Sequence, residues 1–185
     1  MRIAVYSGSF NPLHIGHLAI LRRLAAQFDG VYLVVSPQNP FKDASANETG
    51  ASRLQAAREA VARHPELLGK VKVDDIELGM DPPHYTIRTL LALRSREPYN
   101  DFTLIIGADN LERFSFWQEH EVILKEFGIA VFPRKGYHRG HLKARLMKED
   151  PAFRIELIDA PLVTVSSTEI REALAAGRDV SSLLM

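Results

Sequence analysis

The chain has 185 residues, of which 46% are hydrophobic and 25% are charged, and this composition suits one globular domain with a single good core. Lysines and arginines balance aspartates and glutamates at 23 each, so no overall field draws the protein to nucleic acid or to an acidic membrane. The lack of cysteine excludes disulfides, thiolate metal sites and cysteine nucleophiles, and the lack of a signal segment or a membrane-length apolar run makes the cytoplasm the expected location.

Short β-branched and apolar runs alternate with longer segments of helical period. This alternation predicts an α/β fold, a doubly wound, mainly parallel sheet with helices on both faces, over a single domain 1–185 in which 165–185 is a C-terminal helical portion. The predicted strands are Arg2–Tyr6, Val31–Ser36, Val71–Ile76, Phe102–Ile106, Gly128–Phe132 and Arg154–Ile158. The predicted helices are Ile15–Phe28, Ser52–His64, Thr86–Arg96, Glu119–Phe127, His141–Lys148 and Thr168–Ala176.

Two stretches without periodicity, 37–50 and 79–84, follow strand candidates directly. Ligands of open α/β sheets lie beyond the carboxyl ends of the strands. We therefore expect both loops to form walls of a substrate site.

The first strand candidate leads through Ser7-Gly8-Ser9 into a helix that begins near Ile15 or Gly16. Such a junction offers free backbone N–H groups to an anion. The sequence contains neither GxGxxG nor GxxxxGK[ST], so it does not support a dinucleotide fingerprint or a P-loop. A different phosphate-binding turn is required.

His14 and His17 are three residues apart, which places both imidazoles on one face of the first helical turn. Gly16 between them is expected to let a bulky ligand approach the backbone. The helix dipole disfavours protonated imidazoles here unless an anion is present, and a triphosphate would resolve that conflict. In the alternatives, one histidine caps the helix while the other packs, or the pair binds a metal, although no third ligand of suitable spacing follows.

The segment SGSFNPLHIGH (7–17) resembles the G-[GS]-[ST]-F-[DN]-P-x-H-x-G-H signature of the HxGH nucleotidyltransferase superfamily. A second segment, VSSTEIREAL (165–174), resembles the I-S-[SA]-T-x-I-R element of the nicotinate and nicotinamide mononucleotide adenylyltransferases. Three segments between them resemble, in order, further blocks of the bacterial nicotinate mononucleotide adenylyltransferases: PHYTIRTL (83–90), LIIGADNLERFSFWQE (104–119) and PRKGY (133–137). The resemblance covers nearly the whole chain and implies a Rossmann-like nucleotidyltransferase fold.

The resemblance implies adenylyl transfer from ATP to nicotinate mononucleotide, which gives nicotinate adenine dinucleotide and pyrophosphate in NAD biosynthesis. It implies Mg²⁺ as a cofactor that the ATP phosphates carry, with no protein side chain as a metal ligand. The partners would be ATP and the mononucleotide, without nucleic acid or membrane, and a homo-oligomer stays open. Two rival functions also stay open: preference for nicotinamide mononucleotide, and a nucleotide-sensing module without turnover.

On the ATP side, the resemblance implies catalytic roles for His14, His17 and Arg171. The residues that it places against ATP are Gly8, Ser9, Phe10, His14, His17, Gly107, Asp109, Arg134, Ser167, Thr168 and Arg171.

Other interpretations of these segments remain. Ser166 with Glu169 has capping-box spacing, and Val165 with Ile170 fits a hydrophobic staple, so this segment also suits an ordinary helix start. Asp109 suits an N-cap equally well. Arg134 and Arg171 would look the same as surface arginines.

On the mononucleotide side, Trp117 is the only tryptophan, and an indole stacks well on an electron-poor pyridine ring. A core tryptophan and an ordinary loop lysine at Lys42 are the alternatives. The residues that the resemblance places against the mononucleotide are Asn39, Lys42, Tyr85, Thr86, Trp117 and Gln118.

The sequence departs from the family pattern in three places. Ser7 stands where many relatives have glycine, and Asn11 where many have aspartate. The sequence stops at Met185, where relatives usually continue through a further short helix, so we expect less cover at this end of the fold.

Overall fold

The computed structural model describes residues 1–37 and 49–185. Its six strands form one sheet in the order β3-β2-β1-β4-β5-β6, and each neighbouring pair is parallel. The strands are β1 (Arg2–Gly8), β2 (Gly30–Val35), β3 (Val71–Asp74), β4 (Asp101–Gly107), β5 (Ile129–Phe132) and β6 (Ile155–Leu157). The predicted fold class is confirmed.

The helices follow the predicted order, with one short helix added after β4 and one predicted helix divided in two. They are α1 (Ile15–Gln27), α2 (Gly50–Ala62), α3 (Thr86–Arg96), α4 (Ala108–Glu112), α5 (His120–Val122), a π-helical turn (Ile123–Phe127), α6 (Arg139–Glu149) and α7 (Ser167–Ala175). Short 3-10 turns lie at Pro65–Leu67, Ile76–Gly79, Phe114–Phe116 and Ser181–Leu183.

Side chains of the strands alternate between two cores, one on each face of the sheet. Ala4 and Tyr6 of β1 join the core that contains α1 and α2, whereas Ile3 and Val5 join the core that contains α3. Because successive side chains are buried on opposite faces, both faces of the sheet must be covered by helices, as is usual for a parallel sheet. Burial of each fully buried leucine of these cores stabilises the folded state by about 1.5–3 kcal/mol relative to an exposed side chain.

Most elements differ from the sequence prediction by one or a few residues at their ends, and two differences have a clear physical cause. Strand β1 continues beyond Tyr6 because Ser7 and Gly8 still pair with β2. The single helix expected at Glu119–Phe127 is divided, and it closes with a hydrogen bond of 2.7 Å from the Gly128 N–H to the Ile123 carbonyl, a five-residue spacing.

The strand order reverses between β1 and β4. After β1 the chain moves to β2 on one side, and after β4 it moves to β5 on the other, so the loops that follow Gly8 and Gly107 diverge. A crevice at such a switch point is the usual ligand site of an open α/β sheet. Within residues 1–37 and 49–185, no helix has the length and hydropathy needed to cross a membrane.

Asp74, at the end of β3, is a buried carboxylate that holds the far end of α3. Arg96 donates from Nη1 to Oδ1 at 3.2 Å and from Nη2 to Oδ2 at 2.6 Å. Burial would raise the pKa of Asp74, but the hydrogen bonds and charge of Arg96 outweigh it and lower the pKa below the ordinary value. The pair therefore anchors α3 to the sheet most firmly when Asp74 is ionised.

We expect Asp74→Asn to lower the free energy of unfolding by about 1–3 kcal/mol at neutral pH, because charge-assisted bonds to Arg96 are lost. Since folding lowers the pKa of Asp74, its contribution is present above the ordinary aspartate pKa and disappears as the pH falls through the lowered value. Urea unfolding of parent and variant at neutral and acid pH measures the difference. An equal separation of the two curves at both pH values would contradict this assignment.

Candidate active site

The two histidines of the first motif cap α1 together. His14 is the N-cap, and its Nδ1 accepts a hydrogen bond of 3.0 Å from the Gly16 N–H. His17, three positions later, accepts a hydrogen bond of 3.1 Å at its own Nδ1 from the His14 N–H. Their rings stack with centroids 3.7 Å apart, so they form a capping box built from imidazoles. Both histidines cap, whereas the capping alternative expected only one to do so.

Capping also fixes the proton on each ring. Because each Nδ1 accepts a backbone proton, the neutral imidazole must carry its own proton on Nε2. The pKa of His14 is lowered to about 4, first by burial and then by the charge of Arg134, against the opposing charge of Glu169. The pKa of His17 is lowered to about 3 by burial, by His14 and by Arg134. Near pH 7 the pair is therefore neutral and offers two Nε2–H donors.

Aromatic packing holds the His17 ring in place. Phe10 lies 5.2 Å from the His17 ring in an edge-on arrangement, and Tyr6 lies 6.2 Å from it. Phe10 has a φ of 47°, in the left-handed region where a phenylalanine is strained. The turn after β1 is thus shaped around the imidazole.

The expected ligand-admitting role of Gly16 is wrong. A Cβ at this position would overlap the Val163 side chain and the His14 ring. Internal packing therefore requires glycine here, since a side chain would displace the imidazole that caps the helix.

The second motif folds back onto the first. Ser166 and Glu169 form the predicted capping box at the start of α7, with hydrogen bonds of 3.2 Å and 3.1 Å. Ser167 Oγ donates to the Pro12 carbonyl at 2.9 Å, and Arg171 Nη1 donates to the Asn11 carbonyl at 2.6 Å. The two motifs, about 150 residues apart in sequence, therefore meet at the loop that carries His14.

Arg171 is not the loose surface arginine of the alternative interpretation. Its second terminal nitrogen, Nη2, donates to Thr168 Oγ1 at 3.2 Å. A guanidinium has five N–H donors. Arg171 thus supports the loop and keeps donors beyond those two bonds.

Gly107, Asp109 and Arg134 meet at the carboxyl ends of β4 and β5. Gly107 is the N-cap of α4, so the alternative N-cap role for Asp109 is wrong. A Cβ at Gly107 would overlap Asp109 Oδ1 and would lie 3.1 Å from Arg134 Nε, so glycine lets these groups pack together. Asp109 Oδ1 and Arg134 Nε are 3.6 Å apart, and both atoms are buried without a hydrogen-bond partner among the described residues. The Asp109 oxygen can therefore still accept a hydrogen bond, and the Arg134 N–H can still donate one.

A separate cavity of about 250 Å³ brings together all four predicted mononucleotide residues that the structure describes. Its lining consists of His84, Tyr85, Thr86, Phe116, Trp117 and Gln118. Trp117 also packs on buried Phe114, with ring centroids 4.8 Å apart. The same side chain therefore packs against the core and lines the pocket, so both interpretations of Trp117 apply. The predictions for Asn39 and Lys42 lie outside the described residues.

Several residues of this region escaped the sequence interpretation. Arg53 of α2 is 2% exposed, and its Nη1 donates to the carbonyls of Ser9 and Ser36 at 2.7 Å each. It thereby holds the ends of β1 and β2 together. The sequence feature that could have revealed Arg53 is its place within the apolar stripe of a helix, next to Leu54 and one turn before Ala57. Phe116, which also lines the pocket, carried no signal beyond its neighbours, whereas His84 belongs to the loop 79–84 that the sequence predicts as a wall of the site.

No group of three or more histidine, aspartate or glutamate side chains that could hold a metal ion occurs among residues 1–37 and 49–185. The donor set around the two motifs consists of imidazole N–H, hydroxyl and guanidinium groups. Such groups are suited to phosphate oxygens rather than to a cation.

Comparison with known proteins shows that the chain is similar to nucleotidyltransferases. The family model described as cytidylyltransferase-like matches residues 5–173. A Flavobacterium johnsoniae protein named "probable nicotinate-nucleotide adenylyltransferase" is 37% identical over 100% of this chain and 92% of its own length. A Bacteroides fragilis protein of the same name is 38% identical over 99% of this chain and 87% of its own length.

Solved structures share the fold. The Plasmodium falciparum nicotinic acid mononucleotide adenylyltransferase complexed with NaAD superimposes with a TM-score of 0.76 at 20% identity, over 97% of this chain and 86% of that one. The same enzyme complexed with APC gives a TM-score of 0.74 at 19% identity, over 99% of this chain and 90% of that one.

The imidazole cap leads to a prediction about protonation. We expect proton–nitrogen NMR correlation to show both imidazoles as the Nε2–H tautomer near pH 7, with protonation midpoints of about 4 for His14 and about 3 for His17. Because folding lowers both pKa values, the two neutral rings contribute to the free energy of unfolding above the ordinary histidine pKa. This contribution is lost as the pH falls toward the lowered values. His17→Asn assigns the resonances. An ordinary midpoint for either ring, or a proton on Nδ1, would contradict the cap.

Proposed function

Since the chain belongs to the cytidylyltransferase-like family, and within it to the nicotinate-nucleotide adenylyltransferases, we propose that it is an enzyme that transfers the adenylyl group of ATP to nicotinate mononucleotide. The products are nicotinate adenine dinucleotide, an intermediate of NAD biosynthesis, and pyrophosphate. The observation that carries this proposal is the reciprocal histidine cap at the switch point of the sheet, which supplies neutral N–H donors at a helix N-terminus.

The reaction needs no protein nucleophile. An oxygen of the mononucleotide 5′-phosphate attacks the α-phosphorus of ATP, and a new P–O bond forms while the bond to the bridging oxygen of the β-phosphate breaks. Pyrophosphate leaves with that electron pair. The protein's contribution is to position the two phosphates and to stabilise charge on the α- and β-phosphates.

His14 and His17 are the proposed donors to those phosphates. Their protons are already on Nε2, so no rearrangement is required before they donate. We propose that Gly8, Ser9 and Phe10 shape the turn beneath the triphosphate. Ser167, Thr168 and Arg171 would contact it from the opposite side, because α7 docks on the same loop.

Gly107, Asp109 and Arg134 are proposed to bind the adenosine and the phosphates. The buried Asp109 Oδ1 and Arg134 Nε atoms without partners support this, since a ligand that satisfied them would recover the cost of their desolvation. Burial is the main reason that the pKa of both histidines is lowered, and the charge of Arg134 adds to it, so the field of Arg134 acts at the imidazole pair.

Mg²⁺ is proposed to enter with ATP. It prefers oxygen ligands and is commonly held through substrate phosphates and water, which agrees with a protein donor set made of N–H and O–H groups. Bound there, the ion would offset negative charge on the triphosphate.

The cavity beside Trp117 is proposed to hold the pyridine ring. Trp117 would stack on the ring, and Tyr85, Thr86 and Gln118 would surround its substituent. Asn39 and Lys42 remain candidates for the mononucleotide phosphate. The proposed site thus draws on residues from both halves of the chain, which supports treating 1–185 as one domain with 165–185 as its C-terminal helical portion.

The proposed function is tested by incubation with magnesium-ATP and either nicotinate or nicotinamide mononucleotide, followed by measurement of pyrophosphate and dinucleotide. We expect product, with the higher kcat/KM for the nicotinate form. Higher kcat/KM with nicotinamide mononucleotide would support that rival acceptor, and tight ATP binding without product would support a sensing module instead.

In the same assay, we expect His17→Ala to lower kcat by about 100- to 1,000-fold, because one preorganised donor to the phosphates is lost. The variant also loses the acceptor for the His14 N–H, at a cost of about 1 kcal/mol in stability. His17→Asn is the matched control, since an amide oxygen can accept that bond. It should regain stability without regaining kcat, and a His17→Ala enzyme within about threefold of the parent would refute the role.

Trp117→Leu is expected to raise KM for the mononucleotide by about 5- to 160-fold, because base stacking on an aromatic ring is worth about 1–3 kcal/mol. Packing on Phe114 remains apolar in this variant. Trp117→Phe, which keeps a ring, should raise KM less. An equal rise in KM for ATP would contradict the assignment of the cavity to the mononucleotide.

A further inference from the structure

A chain of side-chain hydrogen bonds connects the ends of β1 and β2 to α3. Glu77 Oε1 accepts hydrogen bonds from Ser7 Oγ at 3.1 Å and from Thr89 Oγ1 at 2.9 Å. Ser7 Oγ also lies 2.9 Å from Ser36 Oγ. Since the single hydroxyl proton of Ser7 goes to Glu77, Ser36 must be the donor to Ser7.

Glu77 is therefore the acceptor on which all three hydroxyl groups depend. Its side chain belongs to the short turn Ile76–Gly79 and is only 4% exposed. Thr89 is 1% exposed, so its hydroxyl is shielded from water as well. Removing the acceptor would leave buried donors unsatisfied, which costs more than the net value of the bonds themselves.

The two ends of this chain belong to different parts of the proposed site. Ser7 immediately precedes Gly8 and the turn that carries His14, on the ATP side. Thr89 lies one helical turn beyond Thr86, which lines the cavity proposed for the pyridine ring. Glu77 is thus a direct link between the strand that positions ATP and the helix that positions the mononucleotide.

We propose that Glu77 is a positioning residue that sets the distance between the two bound substrates. This inference rests on the proposed function. The transfer requires the attacking phosphate oxygen to approach the α-phosphorus in line, and reacting atoms of a productive complex are about 3–3.5 Å apart. A shift of α3 by a fraction of that distance leaves each substrate bound but separates the reacting atoms.

The position of Glu77 distinguishes it from Asp74, the other buried carboxylate that bonds to a residue of α3. Asp74 also ties this helix to the sheet, but it bonds to Arg96 at the far end, away from Thr86. Asp74→Asn is therefore a matched control: it loosens the same helix and keeps an oxygen that can accept the Ile76 N–H. A general loss of rigidity would affect both variants, whereas a positioning role would affect Glu77 alone.

The test compares Glu77→Leu, Glu77→Gln and Asp74→Asn by steady-state kinetics with both substrates varied, well below the unfolding temperature of each variant. For Glu77→Leu we expect kcat to fall by about 10- to 100-fold while KM for each substrate stays within about threefold, because misplacement of bound groups affects the reaction more than binding. Glu77→Gln keeps an oxygen that can accept both hydroxyl protons, so kcat should stay within about threefold of the parent. Asp74→Asn should be less stable than the parent with kcat unchanged.

Ser7→Ala and Thr89→Val test the link from each end and are milder changes to the fold. Each should lower kcat in the same direction as Glu77→Leu, and the combined Ser7→Ala, Thr89→Val enzyme should lose little more when Glu77→Leu is added, since the three residues act as one unit. A Glu77→Leu enzyme with the parent's kcat would overturn the inference. So would equal losses in Glu77→Leu and Asp74→Asn, additive losses along the chain, or failure of Glu77→Gln to retain activity.

The parent enzyme in the same assay separates the two proposals. A parent that forms no dinucleotide would overturn the proposed function and this inference with it. An active parent combined with a fully active Glu77→Leu would overturn the role of Glu77 and leave the proposed function standing.

Discussion

The reciprocal bond between the two histidines at the start of α1 is the interaction on which the proposed site depends. Each Nδ1 accepts a backbone proton from the first helical turn, so each ring is fixed in orientation and tautomer by the same bond. At the start of a helix, a serine or aspartate side chain usually accepts hydrogen bonds from the free backbone N–H groups. A hydroxyl or carboxylate cap would satisfy the backbone equally well, but it would leave no second nitrogen to donate. The imidazole cap therefore combines helix initiation with phosphate recognition in one pair of side chains.

This pair is held from three directions by parts of the chain that are distant in sequence. Phe10 and Tyr6 pack against the His17 ring, Val163 fills the space over Gly16, and α7 donates to the loop through Ser167 and Arg171. Arg53 closes the arrangement beneath the loop by binding the carbonyls of Ser9 and Ser36. Because backbone carbonyls receive most of these bonds, the shape of the loop is specified more strictly than the identity of its exposed residues.

The fold was largely predictable because its signals are local. Hydrophobic runs of strand length, separated by helical periods, located all six strands and the main helices to within a few residues. The prediction ended β1 early because Ser7 and Gly8 look like a turn, and only the pairing with β2 extends the strand. For the same reason the π-helical turn at Ile123–Phe127 was missed: its distinguishing hydrogen bond is closed by Gly128, and a five-residue spacing leaves little mark on an apolar pattern. The site was predictable only where a motif carried it. Arg53 and Glu77 belong to no motif, and what they contribute depends on partners far away in sequence.

The charge of the whole chain explains why the anion site has to be built in this way. With equal numbers of acidic and basic residues there is no net field to attract a triphosphate, so attraction must come from oriented donors and from a few placed cations. Arg134 is such a cation. Burial, to which the charge of Arg134 adds, lowers the pKa of both histidines, so they are neutral before a nucleotide arrives. Neutral imidazoles do not oppose the positive end of the helix dipole, which removes the electrostatic conflict that the sequence suggested. A bound phosphate would then raise both pKa values, because an adjacent negative charge favours the protonated ring. The site thus avoids the cost of buried positive charge when it is empty, and its Nε2–H donors are already formed and oriented when the anion arrives.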